Sequence, residues 1–163
     1  MASLVQGRDG NLYGVTSGGA NGACDTINGN GCGTVFRITP DGALTTLHVF
    51  CSQTACADGA QPLGALIEGS DGNFYGTTFE GGIQDYNCSQ ADYFGCGTVF
   101  RITPEGALTT LYSFCPQGDP CYDGDSPIGG LIQDADGILY GTTSEGGDPS
   151  SASAQQGAAL SLA

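Results

Sequence analysis

Lysine and tryptophan are absent from this 163-residue chain, and Arg8, Arg37 and Arg101 are its only arginines. Against seventeen Asp and Glu they leave a formal net charge of −14. A surface of that sign repels phosphate backbones and anionic headgroups, so nucleic-acid binding is excluded as a function class. No apolar run approaches the roughly 20 residues of a membrane-spanning helix, and membrane insertion is not expected. A single imidazole, His48, is available as a base for a nucleophilic triad. It occupies the place of Tyr112 one repeat later, so it reads as packing rather than chemistry. Helical periodicity is missing as well.

Short runs of Val, Ile, Thr, Tyr, Phe and Leu fill the space between 29 Gly and 7 Pro. Such runs suit half-buried pleated surfaces, and the chain reads as all-β. Its strongest pattern is repetition. Residues 31–47, GCGTVFRITPDGALTTL, return at 95–111 with one change, Asp41 to Glu105. DGNLYG at 9–14 recurs as DGNFYG at 71–76 and DGILYG at 136–141.

In the second unit four strand-like runs are predicted: 63–68, 73–78, 98–103 and 108–114. Tight DGN and PEG turns and longer loops separate them, with Pro and Gly supplying the turn geometry. Four short antiparallel strands per repeat describe a β-propeller blade, which must bury both sheet faces against neighbours. The expected fold is a partial β-propeller of about two and a half four-stranded antiparallel blades. Its divisions are 3–62, 63–127 and a two-stranded half blade at 128–147. Residues 148–163 abandon the repeat and read as a disordered or non-native tail. Two and a half blades do not close a ring, so a homo-oligomer closing one, or a piece of a longer propeller, is expected.

Eight cysteines fall as Cys24/Cys32, Cys51/Cys56, Cys88/Cys96 and Cys115/Cys121. No CxxC spacing occurs, so zinc is disfavoured and four local disulfides are expected. Disulfides imply an oxidising compartment, hence an extracellular or cell-surface location. The sequence from Met1 shows no basic segment followed by an apolar one, and no anchor, so the chain reads as a fragment of a secreted product.

The DGNFYGTT…GCGTVFRITPEGALTTLYSF pattern, over about residues 3–147, resembles the choice-of-anchor tandem repeat GloVer-containing proteins. More loosely it is similar to NHL and SMP-30-like propellers. The resemblance implies a secreted or surface-anchored bacterial protein, mostly without an assigned activity in the family.

In such a blade the tight turns share one side and the long loops share the other. All eight cysteines and most differences between repeats sit in the long loops, which marks that side as a recognition surface. Candidate ligand contacts are Tyr86, Tyr93, Phe94 and Tyr122 with Asp85 and Asp92. Aromatic faces beside carboxylates suit a glycan, and Tyr-rich loops also suit a cell-surface protein. Asp123/Asp125 and Asp134/Asp136 each place two carboxylates two residues apart, a calcium-like spacing without the full ligand set. Turn formation by Asp-Gly accounts for them without metal, and no cofactor is otherwise expected. Arg37 and Arg101 read as a structural Arg–Asp pair repeated per blade, and Tyr13, Tyr75 and Tyr140 as inter-blade packing. The function expected is a non-catalytic extracellular scaffold or recognition module. The alternative is a propeller-fold lyase or carbohydrate-active hydrolase whose site needs further blades.

Overall fold

β-Branched and aromatic residues alternate through TVFRI at 34–38 and again at 98–102, so each strand presents large apolar groups to both sides of its sheet. A sheet of that kind is covered on both faces, and the fold is built around this requirement. The computed structural model describes residues 3–19, 31–83, 95–116, 121–147 and 159–162. The first sheet is β1 (Val5–Gln6), β2 (Leu12–Thr16), β3 (Thr34–Ile38) and β4 (Leu44–Val49) in sequential antiparallel order. The second is β5 (Ile67–Glu68), β6 (Phe74–Thr78), β7 (Thr98–Ile102) and β8 (Leu108–Ser113), in the same order. The third has β9 (Ile132–Gln133), β10 (Leu139–Thr142) and β11 (Ala159–Leu162). A 3₁₀ turn, Thr54–Cys56, follows β4. The chain is all-β, a partial β-propeller.

Register repeats with the sequence. Tyr13 faces Arg37 as Tyr75 faces Arg101, and the same irregularity interrupts β3–β4 at Val35/Phe36 and β7–β8 at Val99/Phe100. The first strand of each unit is shorter than the sequence predicts. Leu63–Leu66 runs outside the ladder because it is committed to packing: Leu66 is buried, and a Cβ added at Gly64 would lie 2.4 Å from the Gly129 carbonyl oxygen. The tail also differs from expectation. Residues 159–162 pair with β10, Leu139 opposite Leu162, and Leu162 packs on the neighbouring core. The unpaired edge of β10 supplies the reason, since backbone groups at a sheet edge take a partner where one is in reach.

Two cores lie between the sheets, and they are one interface repeated. Tyr13, Cys32, Val35 and Phe50 of the first sheet's unit meet Leu66, Phe74, Phe100 and Ile102 of the second. Tyr75, Cys96, Val99 and Phe114 then meet Leu131 and Leu139 of the third. Each sheet thus has a leading face toward its predecessor and a trailing face toward its successor. Tyr13 stacks on Phe74 with ring centroids 3.9 Å apart. The tyrosines report what covers them: Tyr13 is 0% exposed, Tyr75 8% and Tyr140, on the trailing face of the third sheet, 39%.

The DGN turn orients these tyrosines. Asp9 accepts hydrogen bonds from the Asn11 backbone at 3.0 Å and from Tyr13 Oη at 2.7 Å; Asp71 accepts from Asn73 at 3.1 Å and Tyr75 Oη at 2.9 Å. Among the described residues no ion pair joins Arg37 or Arg101 to an aspartate. The phenol stands where the sequence suggested a direct Arg–Asp pair. The hydrogen bond from Tyr13 chiefly lowers the Asp9 pKa, with a smaller contribution from the Arg37 charge. In the third unit the acceptor moves two residues upstream, to Asp134, which takes Tyr140 Oη at 3.0 Å. Gly7 and Gly69 hold the corresponding positions earlier, and a Cβ at either would strike Asp9 or Asp71. A side chain upstream therefore replaces the turn aspartate rather than joining it.

Glycine at the second residue of each YG pair is a matter of space. A Cβ on Gly76 would lie 2.7 Å from the Phe100 ring and 2.9 Å from Leu66; on Gly14 it would lie 2.7 Å from both Phe36 and Leu4. Phe100 and Leu66 are buried in the core, whereas Leu4 is exposed and Phe36 half-buried. Gly76→Ala is expected to cost about 1–3 kcal/mol by overpacking. Gly14→Ala should cost clearly less, because its neighbours are free to give way. Urea midpoints of the two variants measure the difference.

Candidate binding side at the cysteine loops

The loop leaving β4 turns back on itself through a disulfide between Cys51 and Cys56, and the loop leaving β8 does so through Cys115–Cys121. Cys32 and Cys96 are also disulfide-bonded, and no described cysteine is free. Cys24 and Cys88 lie outside the described residues. Left-handed backbone recurs at matching non-glycine positions: Cys51 and Cys115 at φ 58° and 59°, Gln61 and Ser126 at 52° and 55°. Conformations that cost side-chain-bearing residues energy, held at the same places in two repeats, are built features of the loops.

An aspartate organises each loop, fully buried in the first and half-buried in the second. Asp58 is fully buried and its carboxylate meets His48 Nε2 at 3.0 Å, Ser52 Oγ at 2.7 Å, and the backbone N–H groups of Ser52 and Gln53 at 3.0 and 3.2 Å. Burial alone would raise its pKa; the hydrogen bonds from His48, Ser52 and Gln53 overcome that and hold it at about 2. Asp123 repeats the arrangement, accepting from Tyr112 Oη at 2.6 Å and the Cys115 N–H at 3.0 Å. Burial, then the bond to Asp123 and its charge, push the Tyr112 phenol up to about 12. His48 and Tyr112 are therefore equivalent donors to an anchoring carboxylate. Each also packs edge-on against the next aromatic, Phe50 or Phe114. The sequence reading caught the packing and missed the polar tie. The repeated C-x-D-G at 56–59 and 121–124 was its visible signal.

These loops cover the following sheet. Ala60 and Glu80 exchange backbone hydrogen bonds at 2.8 and 3.0 Å, and the Gly82 N–H donates to the Cys56 carbonyl at 2.9 Å. One unit later Asp125 pairs with Glu145, and the Gly147 N–H donates to Cys121 at 2.8 Å. Glu80 becomes 3% exposed under this cover, and burial raises its carboxyl to about 7, against an opposing hydrogen bond from Gln61. Burial also raises Asp125, reinforced by the charges of Glu145 and Asp123 and opposed by Ser126.

On the first sheet the equivalent edge is Thr16–Gly18, and no described loop lies over it. A cavity of about 380 Å³ opens there, lined by Val15, Thr16, Ser17, Gly18, Phe36, Pro62 and Leu63. It combines an aromatic face and aliphatic walls with two hydroxyls, a makeup typical of small-ligand sites.

The sequence candidates distribute unevenly. Asp85, Tyr86, Asp92, Tyr93 and Phe94 lie outside the described residues. Tyr122 is 59% exposed beside Cys121. Asp123 and Asp125 come together with Glu145, while Asp134 and Asp136 lie in the third unit's turn. There Asp134 accepts from the backbone of Asp136 and Ile138 at 2.9 Å each and from Tyr140. The Asp134 carboxylate is thus occupied by turn donors.

The model of one repeat family matches residues 1–155, nearly the whole chain. The protein belongs to the Gloeobacter/Verrucomicrobia repeat family. No curated protein sequence matches this family member. A solved structure titled a putative gluconolactonase is similar at 17% identity and a TM-score of 0.43, over 98% of this chain and 47% of that one. The repeat-family chain thus spans about half the length of that structure.

Glu80 supplies a pH test of the loop clamp. Its folded pKa of about 7 exceeds its unfolded value near 4.5. The stability it permits is complete below pH 4.5 and is lost as pH rises through 7. Glu80→Gln should therefore change little at pH 5 and stabilise the fold at pH 8, by at most about 3 kcal/mol. Urea unfolding at the two pH values reads this out, and equal effects at both would contradict a buried, neutral-favouring carboxyl.

Proposed function

We propose that this protein is a non-catalytic extracellular recognition module that holds a saccharide-like ligand on its cysteine-loop side. The observation that carries the reading is the cavity beside Thr16–Gly18, at the edge that the loop clamp covers on the second sheet and leaves open on the first. The half-buried Phe36 offers an apolar face for ring C–H groups, and the exposed Thr16 and Ser17 hydroxyls offer polar contacts. Rigid loops lower the ordering cost of binding. The exposed Tyr122 lies in the second disulfide loop, between Cys115 and the sheet that follows.

Several observations favour binding over catalysis. His48 is engaged with Asp58, and the raised carboxyl of Glu80 is enclosed at a sheet junction rather than lining the cavity. Raised carboxyls are common at catalytic sites, yet here a loop cover explains the shift. Disulfides suit an oxidising compartment, and no helix among the described residues is long and apolar enough to cross a membrane.

A panel of immobilised oligosaccharides tests the proposal. At least one saccharide class should bind, and Ser17→Trp, which fills the cavity from an exposed position, should weaken that binding tenfold or more with an unchanged circular dichroism spectrum. Absence of saccharide binding, or binding indifferent to Ser17→Trp, overturns the cavity as a saccharide site.

A further inference from the structure

Hydrogen-bond donors and acceptors are not evenly offered at the cavity. Thr16 Oγ1 donates its proton to the Gly18 carbonyl at 2.6 Å, and it lies 2.9 Å from Thr34 Oγ1. With its own proton committed, Thr16 accepts from Thr34 and faces the cavity with lone pairs. The arrangement belongs to the fold rather than to one side chain. Thr78 donates to the Glu80 carbonyl at 2.8 Å and meets Thr98 at 2.8 Å one unit later. The Gly18 carbonyl is a second acceptor beside the first. A ligand seated there is asked for protons.

Charge points the same way. All three arginines serve the tight-turn side, at the other end of the strands. Arg8 Nη1 donates to the Ser70 carbonyl at 3.2 Å, and Arg8 Nε stands 4.0 Å from Glu68 Oε2. Arg37 lies opposite Tyr13 and acts on Asp9, and Arg101 lies opposite Tyr75 and acts on its phenol. Thr16 is three residues further along β2 than Tyr13, roughly 10 Å away at the rise of a strand. The chain has no lysine, and His48 is engaged with Asp58. Residues 20–30, 84–94, 117–120 and 148–158 contain aspartates and no basic residue. An anionic group in the cavity would therefore give up water without gaining a counter-charge, inside the field of a chain of net charge −14. An ammonium gains from that field, from the acceptors and from the Phe36 ring face.

Resting on the saccharide reading above, we infer that the cavity at Thr16–Gly18 selects its sugar by charge, holding amine-bearing saccharides more tightly than neutral ones and refusing uronates and sulfated sugars. The neutral sugar keeps the apolar and hydroxyl contacts. The amine adds donors and a favourable charge, and the carboxylate, which only accepts, meets acceptors.

Neutral glucan, mannan and galactan oligosaccharides, each beside its C6-amino and C6-carboxylate derivative, test this in a buffer containing a chelator. At about 20 mM salt the amine should bind the protein roughly threefold or more tighter than its neutral parent, and the carboxylate roughly threefold or more weaker. Both gaps should narrow at about 0.5 M salt. Ser17→Lys places a cation at an exposed position on the cavity's lip. It should raise the carboxylate-to-neutral affinity ratio tenfold or more and remove the advantage of the amine, with an unchanged circular dichroism spectrum. Absence of binding by every member of the series overturns the saccharide reading itself, and this inference with it. Neutral sugars that bind while their carboxylates bind as well or better, or while their amines gain nothing, overturn the charge selection alone. So do gaps that high salt leaves undiminished, and a ratio that Ser17→Lys does not move.

Discussion

A sheet with large apolar groups on both faces needs two neighbours, and that requirement shapes everything else in this protein. Val99 and Phe100 are adjacent in one strand and both fully buried, in different cores. No single sheet provides that. The chain answers by laying the same interface down twice, with Tyr, Val and Phe on the trailing side and Leu, Phe and Ile on the leading side. Glycine at the YG position is the complement of this arrangement, giving the cross-strand Phe ring a place to lie.

The cysteine loops add a second layer of connection between sheets. A disulfide bends each loop, an aspartate carboxylate fixes its backbone, and a pair of backbone hydrogen bonds ties it to the edge of the next sheet. The clamp buries Glu80 and half-buries Asp125, so junction stability is coupled to their protonation. It also explains why the candidate ligand cavity lies on the first sheet: the equivalent space on the second is taken by the loop that precedes it.

Much of the architecture was legible in the chain. The 64-residue recurrence of TVFRITP, the DGN turns and the alternating apolar pattern led to four-stranded antiparallel units stacked in series. The site was less legible. His48 looked like packing because its repeat partner is Tyr112, and the shared property, donation to an aspartate ten or eleven residues downstream, is invisible until the loop folds back. Arg37 pointed to an aspartate, but the Tyr13 phenol stands between the two groups in function: it bonds to Asp9, and the guanidinium lies against the pair. Glu80 resembled any other loop acid, although TTFEGG and TTSEGG against VTSGG marked the position as variable.

By itself the sequence determined the all-β class, the blade-sized repeat, the local cysteine pairs at Cys51–Cys56 and Cys115–Cys121, and the acidic surface. These follow from periodicity, spacing and charge, which are properties of residues near one another along the chain. The tertiary structure decided which carboxyls are buried and which serve turns, that residues 159–162 join the third sheet, and where a cavity opens. Those outcomes depend on what each group meets from a unit some sixty residues away, through desolvation, hydrogen bonding and the cover of one sheet by the loop of another.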